Sequence, residues 1–280
     1  MGNILKTFLL LGILSVLLIW MGGLFGGRSG VIMAFGLAML MNGGMYFFSD
    51  KLALSMNGAK PMSRAQHPEL YTMIEELTKK MKLPMPKLYI TPSPQANAFA
   101  TGRDPKHASV AVTEGILKIL SKEELRAVLA HEMGHVKNRD ILIASVAAVI
   151  ASSISFLSNM AMFGGLSGSR DDENAPNPLF GIIAAILVPI AASLIQMAVS
   201  RQREYGADET GAKTIGSGEP LAKALLAIEG STKQLPMTQM NPAFSSLYIE
   251  NPLGNVGGGL MRLFSTHPPT EDRIKRLRKM

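Results

Sequence analysis

Apolar residues along this chain gather into four uncharged runs, Thr7–Gly27, Gly30–Phe48, Ile141–Leu166 and Pro178–Val199. A bilayer core needs about 20 mostly apolar residues per helix, and each run is long enough. The pattern predicts four transmembrane helices arranged as two hairpins. A soluble protein would have to bury these runs, and uncharged stretches of this length are rare in globular cores. The first run also differs from a cleaved signal peptide. It continues past Trp20 into Gly22 and Gly23 and meets a second span, as an uncleaved anchor does. The third and fourth runs are rich in Ala, Ser and Gly, which also suits packing against protein.

Between and after the runs lie two polar segments, Ser49–Asp140 and Ser200–Met280. Lys and Arg outnumber Asp and Glu there by 14 to 10 and by 11 to 8, which accounts for the net charge of +7. Lys51, Lys60, Arg64, Lys137, Arg139, Arg201 and Arg203 sit close to run ends, whereas Ser167–Asn177 holds Arg170 against Asp171, Asp172 and Glu173. Basic residues near span ends favour the cytoplasm, so both polar segments are expected there. Topology accounts for the basicity, and no nucleic-acid partner is expected. The chain has no cysteine, which excludes disulfides and thiolate metal sites.

The stretch 121–139 reads as a helix with a marked start. Ser121 and Glu124 form a capping-box pattern, and Leu125, Val128, Leu129 and Val136 recur at helical spacing. His131 and His135 are four residues apart and share one face, where they can hold one metal ion. Glu132 lies beside them, placed to take a proton from water. This is the H-E-x-x-H arrangement of zinc peptidases.

A catalytic zinc site keeps three protein ligands and an open position. His67, His107 and His267 stand in loop-like contexts, so an acidic third ligand is the better candidate. Glu204 follows Arg201 and Arg203 at the end of the fourth run, and Asp208 lies one turn further on the same face. Such a pair suits a ligand plus a carboxylate that orients a zinc-binding histidine; surface ion pairing with Arg203 is the bland alternative. Two membrane passes between His135 and Glu204 would return the chain to its starting side. A continuous helix from His135 to Ile141 would span about 9 Å and set the metal near the membrane surface.

Four motifs then make a family resemblance specific: N-A-F-A-T-G at 97–102, H-E-M-G-H at 131–135, R-E-Y-G-A-D at 203–208 and S-T-H-P-P-T-E-D-R-I at 265–274. Their order and their placement among the four runs resemble the HtpX family of membrane metallopeptidases. The resemblance implies one zinc ion held by His131, His135 and Glu204, with Glu132 as general base. The related CAAX prenyl proteases share the zinc core but have more membrane spans, and four runs argue against that relative. It further implies an α+β, mainly helical integral membrane protein with a zincin-like cytoplasmic catalytic domain. The chain then divides into a first hairpin (1–49), a catalytic part with the H-E-x-x-H helix (50–140), a second hairpin (141–200) and a catalytic part with the third ligand (201–280).

The implied activity is endoproteolysis of misfolded or damaged membrane proteins at the cell (inner) membrane, often within a stress response. The competing reading is a non-enzymatic membrane adaptor with a structural zinc. Asn97, Ala98 and Phe99 are candidates for a cleft-lining edge strand that adds the substrate as a further strand, although a core strand fits the sequence equally. His267 is the candidate donor to the oxyanion, with Arg273 assisting it or pairing with Asp208; the motif could instead dock the C-terminal helix. The Gly- and Met-rich stretch 237–261, with Asn255–Gly259 flexible by composition, is either a lid over the cleft or a plain loop.

Overall fold

Helix α1 (Gly2–Met56) carries the first two apolar runs and is broken at Gly27, whose φ of 54° and ψ of −140° a side chain would resist. The chain doubles back there. Gly22 and Gly30 meet so closely that a Cβ on either would collide with the other's carbonyl oxygen. Further along the same seam, Asn42 Nδ2 donates to Ser15 Oγ at 2.8 Å. The first two runs therefore form one helical hairpin. Among the residues that the computed structural model describes (2–147, 201–234, 248–249 and 268–280), Gly27–Met56 is the one helix long and apolar enough to cross a membrane. The third and fourth runs lie outside the described residues from 148 onward, and 141–147 are helical.

After α1 come β1 (Lys60–Pro61), α2 (Pro68–Met81), β2 (Lys87–Thr91), β3 (Ala98–Gly102) and β4 (Ala108–Thr113). The strands form one sheet in the order β1-β2-β4-β3, with β2 parallel to β4 and the other two pairings antiparallel. Strand β3 is thus an edge, yet all five of its residues are buried. Helix α3 (Glu114–Ile119) leads from the sheet to α4 (Lys122–Asn138).

The start of α4 is the predicted capping box: Ser121 Oγ accepts from Glu124 N at 3.3 Å and Ser121 N donates to Glu124 Oε2 at 2.8 Å. Leu125, Val128, Leu129, Met133 and Val136 face the main core, which α2, α5 (Arg201–Ile215), α6 (Glu219–Gln234) and α7 (Thr270–Leu277) complete. One expectation is corrected at the other end of α4. Arg139 is left-handed (φ 59°), and Asp140 N caps His135 O at 3.0 Å, so no continuous helix runs from His135 to Ile141.

Candidate active site

Helices α4 and α5 run antiparallel and approach at two glycines. A Cβ on Gly134 would stand 3.0 Å from Ala207 O, and one on Gly211 would stand 3.0 Å from His131 N. That near-contact of backbones brings the short side chain of Glu204 within reach of both α4 histidines. Neither glycine follows from the H-E-x-x-H pattern. Only the two small residues spaced along facing helices could have hinted at it.

His131 Nε2 and His135 Nε2 face each other at 3.2 Å. Glu204 completes the triangle, with Oε1 3.5 Å from His135 Nε2 and Oε2 3.7 Å from His131 Nε2. The outer nitrogens are taken: His131 Nδ1 lies 2.8 Å from Asp208 Oδ1, and His135 Nδ1 lies 3.3 Å from Asp140 Oδ2. A carboxylate on Nδ1 selects the tautomer whose Nε2 lone pair is open. Two such lone pairs and a carboxylate converging on one point would repel without a cation between them. Tetrahedral ligands at zinc's usual bond lengths sit about 3.3 Å apart, so the spacing and the donor set both fit zinc. Among the described residues these three form the one cluster of this kind.

The electrostatics agree. Burial by itself lowers the pKa of His135, but Glu204, Asp140 and Glu132 outweigh it and raise it to about 9, so the surrounding carboxylates favour a positive charge at this point. His131 is lowered by burial, against the pull of Asp208. Glu132 is pushed up to about 7 by burial and by Glu204, while His135, Arg273 and the Ala100 amide oppose the rise.

Behind His131 stands Arg273, fully buried. Its Nε and Nη2 donate to Asp208 Oδ2 and Oδ1 at 3.0 and 2.8 Å, and its Nη1 donates to Ile249 O at 2.7 Å. Burial would raise the Asp208 pKa; Arg273 and His131 hold it at about 2 instead, so it remains a carboxylate. Of the two roles foreseen for Arg273, the geometry is that of the Asp208 partner. His267 lies outside the described residues, as does 237–261 apart from Tyr248 and Ile249. Asn97 is buried at the start of β3, with Oδ1 accepting from Ala98 N at 3.1 Å, and Phe99 packs on Tyr248. Asp140 was missed by sequence reasoning, although a carboxylate just past the second histidine was the available signal.

Fold and site together have the form of a metallopeptidase, in which the two histidines of a helix-borne H-E-x-x-H motif and a glutamate from a second helix make a cluster that could hold a metal ion. The model for peptidase family M48 matches residues 64–280. A protease HtpX homologue from Pelotomaculum thermopropionicum is 49% identical over 281 residues, covering 99% of both chains. Those of Syntrophobacter fumaroxidans (49% over 284 residues, all of both chains) and Sulfurihydrogenibium sp. (50% over 289 residues, 100% of this chain and 97% of the relative) match equally well. The chain belongs to peptidase family M48 and, within it, to the HtpX proteases. It is a membrane zinc metallopeptidase, and the adaptor reading is set aside. The crystal structure of S. mikatae Ste24p shares the fold, with a TM-score of 0.51 and 21% identity. The match covers 95% of this chain and 62% of that one.

Proposed function

We propose that His131, His135 and Glu204 hold the zinc ion, that Glu132 is the general base, and that the substrates are membrane proteins, cleaved internally as part of quality control. The observation that carries the site is the convergence of both Nε2 atoms on Glu204 while Asp208 and Asp140 hold the Nδ1 atoms. When bound, zinc supplies a Lewis acid that polarises the scissile carbonyl and makes water more acidic. Glu132, near neutrality in pKa and steadied by the Ala100 amide, accepts a proton from water and delivers it to the leaving amine nitrogen. Asp208 and Asp140 keep the two imidazoles in register. Arg273 locks Asp208 in place and is a positioning residue for His131. His267, just ahead of the α7 turn that carries Arg273, is proposed as the donor to the oxyanion.

Four membrane spans, with both polar segments cytoplasmic, complete the proposal, along with the division at 1–49, 50–140, 141–200 and 201–280. Its support is the α1 hairpin and the proximity of that hairpin to the cleft. Leu54, near the end of α1, shares a buried cluster with Phe99 of β3. A membrane-embedded substrate would therefore reach the cleft over a short path.

Three experiments test this reading. Casein or a model membrane substrate is digested with and without chelator, and reporters are placed near Lys60, near Asp172 and at Met280. The expected result is chelator-sensitive cleavage, with the first and last reporters cytoplasmic and the middle one external. For His267→Phe, retained zinc with kcat falling more than KM rises supports the donor role.

A further inference from the structure

Strand β3 offers one edge to β4 and the other to the catalytic helix. Thr113 N donates to Asn97 O at 3.0 Å. Bonding direction alternates along an antiparallel strand, so the backbone groups of Ala98, Ala100 and Gly102 point away from β4. This outer edge is where an added peptide strand would pair. It is occupied by the chain itself: Ile249 N donates to Ala98 O at 3.1 Å, the Ala100 amide donates to Glu132, and Gly102 N reaches Ser145 Oγ at 3.5 Å.

The first of these contacts is backbone to backbone, and Ile249 is held on its other side as well. Arg273 Nη1 donates to Ile249 O at 2.7 Å, and the same nitrogen lies 3.8 Å from Glu204 Oε2. The N–H of one residue thus rests on an edge strand, while its C=O rests on a guanidinium that abuts a proposed zinc ligand. An extended substrate residue beside the metal would be gripped in this way. The Ile249 side chain is buried in the main apolar core. Tyr248 lies with its ring 5.2 Å from that of Phe99 and its hydroxyl donating to Asn57 Oδ1 at 3.0 Å.

We propose that Tyr248–Ile249 is an internal occupant of the substrate cleft, and that the substrate residue displacing Ile249 is aliphatic. The inference rests on the peptidase reading above and adds to it a subsite, its preference and its resident. Arg273 then has two duties: Nε and Nη2 hold Asp208, and Nη1 donates to the carbonyl of whichever strand lies on β3. A tethered occupant competes at an effective concentration on the order of millimolar, so substrate affinity is lowered by the fraction of time the cleft is closed.

The test uses the full-length zinc-loaded protein and a quenched fluorescent peptide with a Leu-rich centre. Ile249→Gly removes the apolar anchor. It is expected to keep the wild-type zinc content and to lower KM about tenfold, the worth of one buried aliphatic side chain. A KM that is unchanged or raised in a folded, zinc-replete variant overturns the proposal. A second measurement leaves Tyr248 and Ile249 unaltered. In Glu132→Gln protein, hydrogen exchange of the fragment containing Ile249 should speed up when the capped peptide Ac-Leu-Tyr-Ile-Leu-NH2 is added, because the peptide displaces it. Unchanged or slowed exchange overturns the proposal. Faster exchange in a protein whose wild type cleaves nothing would keep the cleft occupant and sink the peptidase reading, whereas cleavage without the exchange change would do the reverse.

Discussion

On helix α1, Met33 and Leu40 stand 75% and 76% exposed, whereas on α4 His131 and Glu132 are 0% and 1% exposed. The first helix turns its apolar side chains outward, and the second turns its ionisable ones inward. An exposed apolar surface of this length is stable only where the surroundings are themselves apolar, as in lipid. Buried ionisable groups persist only where partners and a metal satisfy them. Both helices pack on β3, α1 through the cluster of Leu54, Phe99 and Tyr248, so the apolar hairpin and the charge-lined cleft lie against the same strand.

The largest effect on this contrast is expected from removing a ligand. His131→Ala, His135→Ala and Glu204→Ala should each abolish stoichiometric zinc, measured by atomic absorption, and peptidase activity with it. Unchanged zinc in Glu204→Gln would move the third ligand elsewhere, and His267 would be the first residue to examine. On the lipid side, Leu40→Arg places a charge at an outward position of the candidate span. The expected cost is about 2.5–3.5 kcal/mol, read as chain lost from washed membranes. Full retention would show that this face of α1 does not meet lipid.

A smaller loss follows from disturbing the groups behind the histidines. Asp208→Asn and Arg273→Ala should weaken zinc binding by about 10–100-fold in chelator competition, because each unpins the His131 imidazole. Gly134→Ala presses a methyl group onto Ala207 O and should cost about 1–3 kcal/mol in thermal unfolding, with Glu204 shifted away from the histidines. Least of all should come from the Lys122–Glu69 pair, whose side chains are 72% and 65% exposed. Lys122→Ala should change stability by at most about 1 kcal/mol.

The start of α4, the shared face of His131 and His135, and the i, i+4 relation of Glu204 to Asp208 were all legible in the sequence. Each depends on spacing within a single helix. The strand through Asn97, Ala98 and Phe99 was legible as a strand, but whether it lay at an edge or in the core was not, because that depends on which strands pair with it. The break at Arg139 was not, because a left-handed arginine costs little and leaves no residue signature when a Schellman-type bond offsets it. Gly134 and Gly211 acquire meaning only once two helices 60 or more residues apart in sequence are laid side by side. The same holds for Arg273, whose partner Asp208 lies 65 residues away, and for Ile249, whose two backbone bonds join β3 to α7. Such contacts are set by which faces pack together, and no local pattern encodes that.

The central claim is that zinc binding and proton transfer are separate duties within one motif. Zinc content and casein cleavage, measured on the same preparation of Glu132→Gln, test it most directly. The account predicts about one zinc per chain, as in the wild type, with cleavage lowered by about 10²–10⁴-fold. Cleavage near the wild-type rate in a zinc-replete sample would contradict it.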